Sequence, residues 1–255
     1  MPTIDVLLAG MTVNTDQTRL GLATIALIRG RANILVDVGH YGRRALLEEA
    51  LAQRNLSPDD IPYVVITHSH WDHAQNVDVF PNATFLIHPK ELEYARAPRK
   101  GDWATPSYFN ATLQGLRVKE AVEGTEIEPG VKIIETPGHT RGHISVVVDT
   151  PQGAAIVAAD AFPDAHTVSR GQPYLIFWSD REAKASVRKM LGLANIIYPG
   201  HDRPFRIAGQ ATHYFGGATS IRVSAAFERG DSGVGVTISV EGVHQPWSHP
   251  EARDS

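Results

Sequence analysis

Tyr63-Val64-Val65-Ile66-Thr67 runs directly into His68-Ser69-His70-Trp71-Asp72-His73, so three imidazoles and a carboxylate fall within six positions. The run is β-branched and aromatic and follows Ile61-Pro62, which reads as a buried strand whose side chains alternate between faces. His68 and His70 then point the same way. Trp71 onward reads as a turn into a helix start, where Asp72 suits the positive end of the helix dipole. With 12 histidines in 255 residues an isolated pair would mean little, and a surface cap is the bland alternative. Four ligand-type groups at one strand end are different. Stacked imidazoles and a carboxylate repel and lose solvation unless a cation joins them, and neutral imidazole with carboxylate suits zinc, iron or manganese.

Further ligand types recur at later strand ends. Val131–Glu135 runs into Thr136-Pro-Gly-His139, Ala154–Ala159 ends at Asp160, and Ile196–Tyr198 ends in Pro-Gly-His201. Alone, a histidine in a Pro-Gly turn is usually solvent-facing and an aspartate after a strand is usually a turn residue. The repetition is informative, because adjacent strands deliver their ends to a common rim. Seven groups exceed the needs of one tetrahedral ion and suit two ions sharing a carboxylate. Two such ions, about 3.5–4 Å apart, lower the pKa of a shared water from 15.7 towards roughly 7. Asp72 is the candidate catalytic group, orienting that water and passing a proton to the leaving group. His143, four positions after His139, reads as a packing neighbour of a ligand.

Elements must present these residues. Leu22–Arg29 and Asn33–Val38 around Gly30-Arg31 have hairpin grammar, and Arg43–Asn55 carries Leu46, Leu47, Ala50 and Leu51 at helical spacing. A short helix after His73 and a strand over Ala83–His88 follow. Residues 91–128 read as the longest irregular region, a lid or binding loop whose Trp103, Tyr108 and Phe109 face a ligand, or an insertion packing its own aromatics. His166 and Tyr174, in the loop after Asp160, are further substrate candidates. Ile144–Asp149 reads as a strand and Asp180–Leu193 as a helix. The tail from Ser220 to Val243 reads as a β-hairpin turning at Gly230-Asp231-Ser232-Gly233. No repeat, low-complexity tract or linker interrupts the chain.

T-H-x-H-x-D-H over Thr67–His73, P-G-H at His139 and again at His201, and Asp160 between them resemble the metallo-β-lactamase superfamily. The resemblance covers about Val6 to Arg206. It implies a four-layer αββα sandwich of mixed α/β class, here with an extra C-terminal β-hairpin. It gives one domain over residues 1–255, with the core at about 6–206 and an extension at 207–255. It further implies His68, His70 and His139 on one metal, Asp72, His73 and His201 on the other, and Asp160 bridging. Asp37, in Ile34-Leu-Val-Asp-Val-Gly39, resembles an aspartate that aligns a ligand histidine. Ala159 stands where the family more usually has glycine, and His40 follows the Asp-Val-Gly. Homoserine-lactone lactonases of the superfamily place a tyrosine shortly after the bridging aspartate, where this chain has Phe162 and Pro163. Its strand-like tail departs from the helical glutathione site of glyoxalase II.

The expected activity is hydrolysis of a small-molecule ester, lactone, thioester or amide by hydroxide held between two divalent ions. Zinc is the expected ion, with manganese and iron as alternatives. A phosphodiesterase or nuclease using the same ions is the second reading, and an iron-dependent oxidoreductase of the superfamily the third. A net charge of −4 gives no general attraction to nucleic acid or anionic membrane. The absence of cysteine excludes disulfides, thiol nucleophiles and thiolate ligands, including the zinc β-lactamases that use a cysteine ligand. No basic region precedes an apolar core at the N-terminus and no run reaches 18 apolar residues, so a cytoplasmic protein without membrane contact is expected. The C-terminal hairpin leaves a homodimer open.

Overall fold

Strands covered on both faces lose the alternation of apolar and polar residues, and Ile25-Ala-Leu-Ile28 is such a run. The computed structural model, which describes residues 1–14, 16–209, 211–216, 219–225 and 233–240, shows both covers. Ile25 and Leu27 enter one core while Ala26 and Ile28 enter another on the opposite side.

In chain order the first part forms β1 (Thr3–Leu8), β2 (Met11–Asn14), β3 (Arg19–Leu22), β4 (Ile25–Arg29) and β5 (Asn33–Val36). Helix α1 (Arg44–Ala52), β6 (Tyr63–Val65), α2 (Trp71–Ala74), β7 (Thr84–Ile87), α3 (Pro89–Tyr94), α4 (Phe109–Thr112) and β8 (Arg117–Glu120) follow. The second part forms β9 (Glu126–Glu128), β10 (Val131–Glu135), β11 (Ile144–Thr150) and β12 (Gly153–Ala159). Then come α5 (Thr167–Arg170), α6 (Asp180–Leu193), β13 (Ile196–Pro199), β14 (Phe205–Ala208), β15 (Ala211–Tyr214), β16 (Thr219–Ala225) and β17 (Val234–Val240).

One sheet has the order β1-β4-β5-β6-β7-β8 and the other β15-β14-β13-β12-β11-β10-β9. Between them lies a core of Ile28, Ile34, Val36 and Val65 from one sheet against Val131, Ile133, Val146 and Val157 from the other. Outside the first sheet, Leu47 and Leu51 of α1 pack on Leu27, Leu35 and Val64. Outside the second, Val187 and Met190 of α6 pack on Ile156 and Phe205. The result is four layers, helix on sheet on sheet on helix. Helix α6 explains its own placement: Ser179 Oγ accepts from Glu182 N as an N-cap, and Ala183, Ser186, Val187 and Met190 are buried at helical spacing. Each such buried aliphatic side chain contributes about 1.5–3 kcal/mol.

Strands β5, β6 and β7 run parallel in the first sheet, and β12 and β13 in the second. Their C-terminal ends meet at one rim, where sheets of this kind place ligands.

Residues 91–128 depart from the irregular region expected. They hold most of α3, all of α4, and strands β8 and β9. Strand β8 pairs parallel to β7 but is exposed along its whole length, so it carries no alternation to read. Strands β1, β2 and β3 also lie ahead of the first strand expected, and β2 and β3 pair only with each other, as a flap. Strands β16 and β17 form an antiparallel pair from Thr219↔Val240 to Ala225↔Val234, and the turn expected at residues 230–233 lies largely outside the described residues. No described helix is long and apolar enough to cross a membrane.

Candidate metal centre

The extended segment after β6 carries His68 and His70, and α2 carries Asp72 and His73. The turn after β10 carries His139, Asp160 follows β12, and His201 follows β13. These residues fall into two groups of ligand-type atoms: His68, His70, His139 and Asp160, and Asp72, His73 and His201. Within each group the atoms lie within 4.8 Å of one another. All seven side chains are buried.

Hydrogen bonds on the far side of His68, His73, His139 and His201 determine which of their nitrogens faces inward. Asp37, just past β5 at φ +59°, accepts from Thr67 N and Thr67 Oγ1 at 2.8 Å. Its Oδ2 also accepts from His73 Nδ1 at 2.7 Å. With the Thr67 hydroxyl donating to Asp37, His68 Nδ1 donates to Thr67 Oγ1 at 3.0 Å. His139 Nδ1 donates to Leu175 O at 2.8 Å and His201 Nδ1 to Leu22 O at 3.2 Å. His70 is turned the other way, its Nε2 facing Asp102 Oδ1 at 3.5 Å. The nitrogens facing inward are Nε2 of His68, His73, His139 and His201 and Nδ1 of His70.

In the metal-free protein Asp160 is the carboxylate that faces His73 and His201, while His68, His70 and His139 face one another. His70 Nδ1 and His139 Nε2 face each other at 3.0 Å. Nε2 of His68 and of His73 and Oδ1 of Asp160 are buried without a hydrogen bond. Asp160 reaches both groups, with Oδ1 at 3.3 Å from His73 Nε2 and 3.2 Å from His201 Nε2, and Oδ2 at 3.4 Å from His139 Nε2. Asp72 Oδ2 lies 3.5 Å from His201 Nε2. Nitrogen and oxygen lone pairs converging in buried space, with no cysteine, fit divalent cations such as zinc. Backbone closeness preserves the space: a Cβ on Gly200 would stand 2.1 Å from Asp160 Oδ1, and one on Gly21 would stand 2.3 Å from Asp72 Oδ2.

Protonation differs between the groups. Burial, and then the neighbouring imidazoles, hold His68 well below its ordinary value. Burial and His70 push His139 down to about 4. For His73 burial acts in the same sense but is outweighed by Asp160, Asp37 and Asp72, which hold it well above the ordinary value. His201 is raised in the same way by Asp160 and Asp72 against its burial. Burial would raise Asp160, but His201 and His73 hold it well below the usual carboxylate range. His143, fully buried, sits outside both groups; its ring lies 5.0 Å from that of His68 and its Nδ1 bonds Thr136 Oγ1.

A cavity of about 50 Å³ opens on Asp72, Asp160, His70 and His201, walled by Thr12, Asn14, Arg19 and Leu20 of the β2–β3 flap and by Trp71, Trp103 and Tyr174. Tyr174 shares its hydroxyl contact with Thr12 Oγ1 at 3.3 Å, and burial and then Asp160 keep it neutral by raising its pKa. A phenol therefore reaches the site from Tyr174, although Phe162 and Pro163 follow Asp160. Phe109 is a correction. It is 2 % exposed and packs in the core under the first sheet, because α4 turns that face inward. Tyr108 is exposed and accepts from Gln75 Nε2, and His166 precedes α5; neither lines this cavity.

Several site residues had no local signal. Asp102 accepts from Tyr94 Oη, Thr105 Oγ1 and the Ala104 and Thr105 amides while facing His70. Burial would raise it, but His70 and these bonds hold it low. Phe177 walls the His70 and His139 rings at 5.0 and 5.6 Å. Arg19 stacks its guanidinium 5.2 Å from the Trp103 ring across the cavity mouth. A loop carboxylate or a flap arginine looks like any solvated residue until the loop closes.

Known proteins resemble this chain in sequence and in fold. A family model for the metallo-beta-lactamase superfamily matches residues 18–201. Metallo-beta-lactamase domain-containing protein 1 of Xenopus laevis is 31% identical over 187 residues, 72% of each chain. An N-acyl homoserine lactonase of Bacillus thuringiensis is 30% identical over 152 residues, 57% of each chain. Among solved structures, an N-acyl homoserine lactone hydrolase with the product N-hexanoyl-L-homoserine at its catalytic metal centre superposes with a TM-score of 0.62. That match has 22% identity and covers 78% of this chain and 92% of that one, a likeness of fold. A paired-sheet sandwich whose strand ends gather histidines and aspartates is thus accounted for by descent as well as by chemistry: the chain belongs to the metallo-beta-lactamase superfamily.

Proposed function

We propose that this metal-dependent hydrolase opens a small-molecule ester or lactone, with thioesters and amides in the same chemical reach. His68, His70 and His139 would hold one divalent ion, Asp72, His73 and His201 would hold the other, and Asp160 would serve both. The observation that carries this reading is the division of Asp160, whose Oδ1 faces His73 and His201 while Oδ2 faces His139.

A bound pair of divalent ions supplies Lewis acidity and water that ionises near neutral pH. The chain's own residues do the rest. Asp72, with an oxygen on the cavity side, orients the attacking water and carries its proton to the leaving group. The Tyr174 phenol, kept neutral, donates a hydrogen bond to the oxygen on which charge develops. Trp71, Trp103 and Leu20 exclude bulk water, which strengthens both interactions. Tyr174 also lines a groove of about 590 Å³ with Phe177, Trp178 and Arg99, and this groove receives the part of the substrate beyond the scissile bond.

The named relative that is an N-acyl homoserine lactonase makes lactones the first substrates to try. The experiment combines metal analysis with a panel of lactones, chromogenic esters, thioesters and a bis-phosphodiester. Two ions per chain and turnover of the carbonyl substrates are expected. Turnover of the phosphodiester alone, or one iron per chain with oxygen consumption, overturns the reading.

A further inference from the structure

The geometry points to Glu91 as a positioning residue that locks the two ligand-bearing loops of the His68, His70, His139 and Asp160 group against each other. The inference rests on the reading of that group as a metal site.

Glu91 lies in the first turn of α3 and is 0% exposed. Burying an ionised carboxylate is costly unless its lone pairs are used. Among the described residues Glu91 has no ion-pair partner; four hydrogen-bond donors take that place. Oε1 accepts from Ser69 N at 2.8 Å and Ser69 Oγ at 2.6 Å. Oε2 accepts from Thr140 Oγ1 at 2.8 Å and Gly142 N at 2.9 Å.

The division of labour between the two oxygens is the point. Ser69 stands between His68 and His70, and Thr140 directly follows His139. One carboxylate oxygen therefore holds the loop with two of the histidines, and the other holds the loop with the third. Gly142 packs so tightly on this turn that a Cβ there would stand 2.1 Å from Glu91 N, so the second loop has no room to drift. The 3.0 Å separation of His70 Nδ1 and His139 Nε2 is set across this clamp. Helix α3 reaches His70 a second way, since Tyr94 Oη donates at 2.6 Å to Asp102, which faces His70 Nε2.

Only a carboxylate can do this. Glutamine has the same shape but one accepting atom, and its amide would present N–H groups to donors on one of the two loops. Outer partners of metal ligands are worth 10–100-fold in metal affinity. The other group, Asp72, His73 and His201, touches none of the four bonds, so its affinity is untouched.

The test uses the full chain, made metal-free by chelation and titrated with Zn²⁺ in two backgrounds. His201→Ala leaves the Glu91-clamped group to bind, and His139→Ala leaves the other. Glu91→Gln is expected to weaken Zn²⁺ binding 10–100-fold in the first background and leave it within about twofold in the second. Equal loss in both backgrounds, the outcome of a merely structural role, overturns the inference, as does no loss in the first. If Glu91→Gln does not fold, Thr140→Val removes one of the four bonds and is expected to give a smaller loss confined to the same background; no loss again overturns it. Failure of the wild type to bind Zn²⁺ at all would instead overturn the metal reading and with it this inference.

Discussion

At the scale of single residues, the centre is a set of rings whose outer nitrogens are spoken for. Because His73 and His201 have raised pKa values in the metal-free protein, each still carries its proton when pH rises through 6.5. His139, depressed to about 4, is neutral there. Loading metal at pH 6.5 is therefore expected to release about one to two protons per chain, from His73 and His201, as ligands must be deprotonated. A pH-stat trace with no release contradicts that protonation pattern. Asp72→Asn, with both ions retained, is expected to lower kcat by at least about 100-fold; unchanged kcat discards the proton-carrying role. Ala159 adopts φ +45°, the left-handed region. That conformation costs a non-glycine residue about 1–2 kcal/mol, against about 0.8 kcal/mol for its buried methyl. Ala159→Gly is thus expected to raise Tm by about 2 °C, and a lower Tm in calorimetry refutes the strain.

At the scale of elements, the β2–β3 flap does work that no motif announces. Gly21 of β3 lies against Asp72, where a Cβ would meet Oδ2 at 2.3 Å and Cγ at 2.8 Å. Gly21→Ala is expected to displace Asp72 and weaken metal binding at the Asp72, His73 and His201 group about tenfold, with little change in the Tm of the metal-free protein. Equal Zn²⁺ affinity in a titration would show that the flap yields freely. The flap was illegible because short strands paired only with each other bury one weak face. Helix α6, by contrast, could be read with its bounds, since its cap and its spacing of buried residues are written in adjacent residues. The segment from α3 to β8 sits between these cases: its helices are short, and β8 is exposed throughout.

At the scale of the whole molecule, the two sheets meet in an apolar core and again at the rim. His68, His70, Asp72 and His73 come from the first sheet's side, and His139, Asp160 and His201 from the second's. Ions held between them join the sheets and stabilise the folded state by mass action. An ion present at 1,000 times its Kd adds about 4 kcal/mol. Removal by chelator is expected to lower Tm by on the order of 10 °C, reversibly on adding Zn²⁺. An identical melting curve with and without chelator would mean that the folded chain holds no ion more tightly than the unfolded chain does.

The chain's own order of residues determined the class of fold and the kinds of ligand. Strand and helix periods are local, and each ligand-type residue follows an apolar run that must end at a sheet rim. The tertiary structure alone decided that Asp102 faces His70, that Tyr174 supplies a phenol while Phe109 is core, and that Glu91 joins Ser69 to Thr140. Those choices depend on which distant segments pack together, and a residue carries no mark of the partner that folding will bring beside it.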